Sequence, residues 1–407
     1  MEWTAEELQA IVDEHDLVLF MKGTPNQAQC GFSNRAAQVL QQLGEPFAAV
    51  NILTDPRAIP AVCAWSDFPT MPQVFVHGEL IGGSEGAAKK LVFNALKNKK
   101  HVVTANKALI AKYGDILSKI AEKNKVNLEF EAAVCGGVPI IRSLKEGLIA
   151  NKISKIYGIF NGTSNYILSS MDKQNKSFEE VLSDAQKMGY AEANPSADLN
   201  GDDVSSKLKI LSSLCFNSFL NDNIYVEGIK NIDKTDIDNA NKLGYKIKLL
   251  GFAELYNKKV YQRVHPTLIK KSSYIASIDG VLNAVIVDGK PVGQNVIQGE
   301  GAGPEATTSA LISDISSILR GNIKFPFSIS SNERKKLSYK DISEIFFSAY
   351  LRFDVVDKPG VLSNITNIFS KNKVSIKRLI QNPSGSKKNS SIVIITHSSK
   401  DKNLKKI

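Results

Sequence analysis

The chain has 407 residues, is 43% hydrophobic and carries a formal net charge of +10, which suits a soluble chain of several globular domains. No apolar run approaches the roughly 18 residues a membrane span needs. The acidic start, residues 2–7, lacks the basic-then-apolar layout of a secretion signal, which points to the cytoplasm. Cys30, Cys63, Cys135 and Cys215 are far apart with no close pair, which argues against a disulfide framework or a structural zinc site. The net charge averages two unlike parts. Residues 1–85 hold three basic and eleven acidic residues, leaving 48 and 30 for the remainder. Both tryptophans fall in the first part, and nearly all the lysine falls in the second. The lysines are scattered over many elements and form no stripe with interleaved aromatics, so a change of domain explains the break better than a nucleic-acid surface.

In chain order, Thr4 with Glu7 three positions on predicts a capped helix, and Leu17–Met21 a short buried strand. Residues 22–25 turn the chain. Cys30 then opens an amphipathic helix carrying Ala36, Ala37, Val39, Leu40 and Leu43. Residues 47–50 predict a strand, residues 56–64 a helix, and residues 73–76 with 79–81 a hairpin across His77-Gly78. The order αβαβαββ is thioredoxin-like. Cys30 stands where a helix begins, so the backbone dipoles favour a thiolate there, and Lys22 can add positive charge. A dithiol oxidoreductase would carry a second cysteine at position 33. Ser33 stands there instead, so Cys30 needs an outside thiol or a metal cluster. The alternative is an inert buried cysteine.

The strings Met21-Lys22-Gly23-Thr24-Pro25, Cys30-Gly31-Phe32-Ser33, residues 65–73 and Gly82-Gly83 resemble the monothiol glutaredoxins over about 85 residues. The resemblance implies glutathione binding at Lys22, Thr70, Met71, Pro72 and Gly83, with Pro72 as a cis-proline. It also implies a [2Fe-2S] cluster held by Cys30 and glutathione. Two features depart from that family: Ile59 stands where an arginine is common, leaving Arg57 as a substitute, and Ser84-Glu85 replaces the family's ending. Cys63 reads as a helix core position.

After residue 85, strands and helices alternate. Residues 87–98 predict a helix, 101–104 a strand, a second helix begins at Ala105, and 128–132 and 155–160 are strands. Asn161-Gly162-Thr163 closes the last of these, and residues 177–188 form a helix. A polar loop, 189–195, leads through Asp198 to a helix carrying Asp203 and Lys207. These two are four apart on one helix face, where spacing alone favours a surface ion pair. Glu192, Asp198 and Asp203 can instead gather an amino group, with Lys207 moving a proton.

Residues 103–108, 136–141, 158–167, 189–192 and 198–207 are similar to those of homoserine dehydrogenase, a resemblance running from about residue 86 to the end. It implies interconversion of L-homoserine and L-aspartate 4-semialdehyde with NAD or NADP in threonine and methionine biosynthesis. It assigns Lys207 and Lys107 to catalysis, and Glu192, Asp198 and Asp203 to the substrate. Lys107, Gly162, Thr163, Gly301 and Gly303 fall to the cofactor, the two last also reading as an ordinary start of the Pro304 helix. Glu131 with the backbone at Val134, Gly136 and Val138 matches the family's site for a monovalent cation, Na or K. A homodimer through this part is implied as well. Residues 349–356, a turn at 357–362, a helix ending near Lys373 and a strand at 390–396 look like an ACT domain, the βαββαβ module that binds amino acids. The sequence stops where its second helix should be, so the last strand is expected to be absent.

A nicotinamide enzyme of this kind needs a strand, a Gly-x-Gly-x-x-Gly turn and a helix N-terminus for the pyrophosphate. No such string follows a strand in this sequence. The fold class read from the chain is therefore α/β and α+β multidomain. A thioredoxin-like domain occupies 1–85, a partial Rossmann remnant 86–125 and a catalytic α/β domain 126–325. A linker follows at 326–346, then a truncated ACT domain at 347–407. The chain reads as chimeric: residues 79–84 fit one strand in both families. The expected function is that of homoserine dehydrogenase, impaired by the missing phosphate loop. The alternative is a glutathione-dependent [2Fe-2S] carrier using Cys30. Its partners are a small amino-acid substrate and glutathione, with no nucleic acid and no membrane.

Overall fold

Thr4 starts the first helix, α1 (Ala5–Glu14), by accepting the Glu7 amide at 3.3 Å. The expected reciprocal bond shifts by one and two residues: the Glu7 carboxylate accepts from Trp3 and Glu2. The computed structural model describes the backbone of every residue except 67, 69, 70, 81–85, 193, 221–223 and 384–388. Strand β1 (Leu17–Met21) is apolar throughout because both of its faces are covered. It pairs in parallel with β2 (Ala48–Asn51) and antiparallel with β3 (Gln73–Val76), which forms a hairpin with β4 (Glu79–Leu80). The strand order is β2–β1–β3–β4. Helices α1 and α3 (Ala58–Ser66) cover one face around Phe20, Val62 and Phe75. Helix α2 (Gly31–Leu43) covers the other, closing Leu19, Met21, Ala37 and Leu40.

The junction at 81–85 lies outside the described residues. Beyond it come α4 (Gly86–Lys97), β5 (Val102–Val103), α5 (Lys107–Asn124) and β6 (Leu128–Glu129). The two strands pair in parallel, Val102 opposite Leu128, and make a sheet of their own. This is a single βαβ unit. Among the described residues no third strand joins it. The strand expected over 128–132 stops at Glu129. The Glu131 amide is drawn to Asp314 at 2.9 Å, and its carboxylate accepts the amides of Ile141 and Arg142, so residues 131–133 coil into a 3₁₀ turn.

The next unit is built on a long sheet. Six of its seven strands are β7 (Lys152–Ile159), β8 (Tyr225–Val226), β9 (Tyr245–Tyr256), β10 (Lys259–Lys270), β11 (Leu282–Lys290) and β12 (Gly293–Glu300), and Ser338–Tyr339 adds a seventh beside Lys259–Val260. The six run in the order β8–β10–β9–β7–β11–β12. Helices α6 (Gly162–Gln174), α7 (Phe178–Lys187), α8 (Ser196–Asn200), α9 (Asp202–Phe216) and α10 (Lys234–Lys242) follow in chain order. Twelve residues of α9 are buried, from Asp203 to Phe216, so this helix is central rather than superficial. Strand alternation sorts β10 by face: Val260 and Val264 join the core under α9, and Gln262 donates to Ser212 of that helix. Tyr261, Arg263 and His265 point the other way.

Helix α11 (Pro304–Leu319) packs beside residues 131–133 and β5. The last unit is a three-stranded sheet, β13 (Tyr350–Val356), β14 (Ile376–Pro383) and β15 (Asn389–Thr396) in the order β13–β15–β14. Helix α12 (Val361–Lys371) closes Phe369 onto it. The expected second helix is a single turn, Asp401–Leu404. This unit docks on α10. Tyr350 donates to Asp236 at 2.8 Å, Arg352 pairs with Asp233 at 2.7 Å, and Val393 and Ile395 pack on Leu243.

His265 lies near that junction. Burial, reinforced by Arg263, pushes its imidazole down to about 4. The unfolded histidine titrates near 6.5. Between those values the unfolded chain binds the extra proton, so the stability His265 gives is present above about pH 6.5 and is lost as pH falls toward 4. The shift corresponds to roughly 3 kcal/mol. His265→Gln is expected to flatten the fall in Tm between about pH 6.5 and pH 4, read by thermal melts across pH. Parallel falls in both proteins would contradict it.

Candidate active site

The site is organised by one buried carboxylate. Asp203 is 7% exposed and sits in the first turn of α9. Its Oδ2 receives the Lys207 Nζ at 2.7 Å and the Asn161 amide at 2.9 Å, while its Oδ1 receives the Lys107 Nζ at 2.9 Å. Burial alone would raise Asp203, yet the two ammonium groups hold it well below the ordinary carboxylate range. The spacing of four residues was expected to give a surface ion pair. The pair exists, but it is buried, because α9 lies under the sheet with this face turned inward.

Lys207, 9% exposed, also donates to the Phe160 carbonyl at 2.7 Å, which aims it across the end of β7. Burial opposes its charge, but Asp203 outweighs burial and raises its affinity for the proton. Lys207 is therefore an ammonium at neutral pH. Lys107 reaches the same carboxylate from the start of α5, where Asn106 caps the helix by accepting the Leu109 amide.

Asp198 comes into the cluster through Asn161, whose amide nitrogen bonds Asp198 at 2.7 Å as well as Asp203. Asn161 Oδ1 caps α6 by accepting the Ser164 amide at 2.8 Å. Sequence reasoning passed over Asn161. Its one signal was an asparagine between a strand and a Gly-Thr helix start, a capping position. Burial first, then Asp203, raises Asp198; burial and Asp198 raise Glu192. Lys107 and Lys22 of the first domain partly offset the rise at Glu192. Thr163 donates to the Tyr190 carbonyl at 2.6 Å and ties the start of α6 to the loop holding Glu192.

Two glycine turns cross nearby. Gly136, at φ +37°, passes the Gly301 carbonyl so closely that a Cβ would stand 2.9 Å from it. A Cβ on Gly301 would fall 2.1 Å from the buried Asn283 amide group. Gly303 precedes Pro304 at the first position of α11, as a helix start requires. Val134, Gly136 and Val138 lie on the first of these turns. The Glu131 carboxylate is turned to the amides of Ile141 and Arg142 at 2.9 and 2.7 Å, and burial pushes it up to about 7. Among the described residues β5 and β6 end without a glycine-rich turn onto a helix, and α5 begins with Lys107.

In the first domain Cys30 occupies the N-cap of α2, half-buried beside an open cavity of about 530 Å³ lined by Asn26, Gln29, Gly31 and Asn34. Ser33 is fully buried and accepts the Lys22 amide at 3.0 Å, so it locks the Lys22 turn to the helix. The Met71–Pro72 bond is cis. Thr70 and Gly83 lie outside the described residues. Arg57 is engaged with Asp55 at 2.7 Å. Cys63 sits on α3, half-buried, and burial with Glu192 raises its thiol. Among the described residues no cluster of three or more His, Cys, Asp or Glu side chains could hold a metal. No described helix is long and apolar enough to cross a membrane.

Comparison with known proteins matches each part. The homoserine dehydrogenase family model covers residues 139–316, the glutaredoxin model 17–81 and the ACT domain model 349–407. A homoserine dehydrogenase of Neisseria gonorrhoeae is 44% identical over 334 residues, spanning 80% of this chain and 77% of the relative. The crystal structure of a homoserine dehydrogenase from Thiobacillus denitrificans superposes with a TM-score of 0.74 at 40% identity, covering 80% of this chain and 75% of that one. A hyperthermophilic archaeal homoserine dehydrogenase in complex with NADPH gives a TM-score of 0.52 at 26% identity, over 58% and 70% of the two chains. A buried Asp203 held between two lysines, on a chain with these relatives, places this protein in the homoserine dehydrogenase family of oxidoreductases, with a glutaredoxin domain ahead of that part and an ACT domain behind it.

Proposed function

We propose that the dehydrogenase part binds L-homoserine and L-aspartate 4-semialdehyde, and that NAD(P)-dependent hydride transfer between them is impaired in this chain. The observation that carries the substrate assignment is Asp203 bracketed by Lys207 and Lys107 at 2.7 and 2.9 Å. An aldehyde oxygen placed at Lys207 meets a protonated amine, which can hold the carbonyl and deliver a proton to the nascent alkoxide. Glu192, exposed, and Asp198, half-buried, suit the substrate's ammonium group. The turn at Val134, Gly136 and Val138 suits a monovalent cation. Gly162, Thr163, Gly301 and Gly303 suit the nicotinamide end of a cofactor, and a homodimer through this part belongs to the same reading. Impairment follows from the pyrophosphate cradle, which is missing among the described residues. The test is paired: calorimetric titration with L-homoserine reads the substrate site, and NADPH consumption with the semialdehyde reads turnover.

A second reading is favoured by Cys30 at a helix N-terminus beside an open cavity. The N-terminal part, 1–85, would then carry a glutathione-ligated [2Fe-2S] cluster. Cys30 can supply one thiolate, and glutathione and a second copy would supply the rest. The full chain reconstituted with iron, sulfide and glutathione is expected to show the absorbance bands of a [2Fe-2S] cluster, and Cys30→Ser to lose them. Bands that survive the substitution would sink this reading.

A further inference from the structure

Helix α11 carries its large apolar side chains on the face turned away from its own domain. Ala306, Ala310, Asp314 and Ser317 are buried. Asp314 holds that face down by accepting the Glu131 amide at 2.9 Å and the Arg142 guanidinium at 3.1 Å. Ile312, Ile315 and Leu319 lie on the opposite side, 55, 41 and 81% exposed. At about 100° per residue the three fall in one narrow sector of the helix. Ile323 and Phe325, just past the helix end, are exposed too. A single exposed isoleucine is ordinary, but a row of large apolar residues along one solvent face marks an interaction surface.

Glu305, Thr308, Ile312, Ile315 and Leu319 follow one another by three, four, three and four residues. That is the repeat of a helix–helix seam rather than of a broad stripe facing a core, so the occupant is another helix. The ends of the row are oppositely charged. Glu305 stands in the first turn of α11 and Arg320 closes its last, and both are exposed. Laid antiparallel on a copy of itself about a two-fold axis, α11 brings Ile312 onto Ile315, Leu319 onto the Thr308 methyl and Glu305 beside Arg320, each contact occurring twice. A parallel pair would set Glu305 against Glu305 and Arg320 against Arg320. The row is therefore complementary to itself in one direction only.

We infer that α11 pairs antiparallel with α11 of a second copy of this chain, with Ile312, Ile315 and Leu319 forming the seam and Glu305 and Arg320 fixing its direction. The contact rests on the homodimer reading given above only where that dimer uses this same face, and pairing through another face is additional to it. The seam residues take no part in the Asp203–Lys207 cluster or the Cys30 cavity.

The test is sedimentation velocity of the full chain at about 1–200 μM, the range in which a short seam associates. The parent is expected to gain mass with concentration. Ile312→Glu combined with Leu319→Glu is expected to halve the mass reached, from dimer to monomer or, where another face also pairs, from tetramer to dimer. The weakening should be about a hundredfold or more, because four carboxylates would meet in an apolar seam. Glu305→Arg and Arg320→Glu are each expected to weaken association by about tenfold, and the double reversal to restore it. A parent that never associates overturns both this contact and the homodimer reading. A mass unchanged by the two apolar substitutions overturns this contact alone and leaves a homodimer through another face. Single reversals without effect, or a double reversal no better than the singles, overturn the antiparallel pairing. The charge reversals use exposed residues only, so they stand even if the apolar variant misfolds.

Discussion

Purified protein given L-aspartate 4-semialdehyde and NADPH is expected to turn over at least about a thousandfold more slowly than a relative such as the Neisseria gonorrhoeae enzyme. A helix N-terminus and a glycine-rich turn hold a pyrophosphate by several charge-assisted hydrogen bonds, each worth about 1.5–3 kcal/mol. Losing three of them removes roughly 5–9 kcal/mol of cofactor binding, and each 1.4 kcal/mol is tenfold. Among the described residues that part of the chain holds a two-stranded unit, Val102–Val103 against Leu128–Glu129, and the helix between them begins with a lysine already paired to Asp203. A thioredoxin-like sheet in front does not replace it: among the described residues the two sheets do not join. Stopped-flow or steady-state loss of NADPH absorbance reads the effect. Turnover within about tenfold of the relative would show that the cofactor is held by contacts other than a phosphate loop.

Asp203→Ala is expected to be the most damaging single substitution in the dehydrogenase part. It leaves Lys207 buried without its counter-ion, deprives Lys107 of its partner and removes an acceptor from Asn161. Breaking a buried ion pair on one side costs about 3–5 kcal/mol. The melting transition of this part should fall by several degrees or more, and homoserine binding by calorimetry should disappear. Lys207→Met offers the contrast. It removes the charge that Asp203 compensates but leaves Lys107 to pair with the aspartate, so it should destabilise less while still abolishing proton transfer. If Asp203→Ala melts like the parent and still binds homoserine, the carboxylate is not the organising centre of the site.

The pH dependence follows from the same burial. Glu192 and Asp198 are raised, chiefly by desolvation and by neighbouring acids, while Asp203 is lowered by two lysines. As pH falls, the outer acids are neutralised before the inner one. The part of the site assigned to an ammonium group is therefore lost first, and the Asp203–Lys207 pair persists to lower pH.

Local patterning made most of the elements legible. The strand at Leu17–Met21, the helix opened by Cys30, the capped helix after Ser177 and the ACT strand before Thr396 stand where propensity and periodicity put them. The residues of the site were legible as types and spacings on particular strings. Their depth was not. Asp203 and Lys207 at four-residue spacing look the same on a surface helix and on a buried one, because spacing reports the face of a helix and not what covers that face. The strand that ended early at Glu129 shows the same limit: the bonds that coil residues 131–133 come from Asp314, Ile141 and Arg142, out of reach of a local reading.

What the sequence by itself determined is therefore parentage and chemistry: a compositional break near residue 85, two sets of family strings on its sides, a lone thiol at a helix start and a lysine–acid cluster. Those are properties of residue type and order. The tertiary structure alone decided that Asn161 joins Asp198 to Asp203 and that Lys107 and Lys207 share one carboxylate. It also decided that Tyr350 of the last unit meets Asp236 of α10. Each of those depends on groups brought together from distant parts of the chain and on the water that packing excludes, and neither is encoded in any local window.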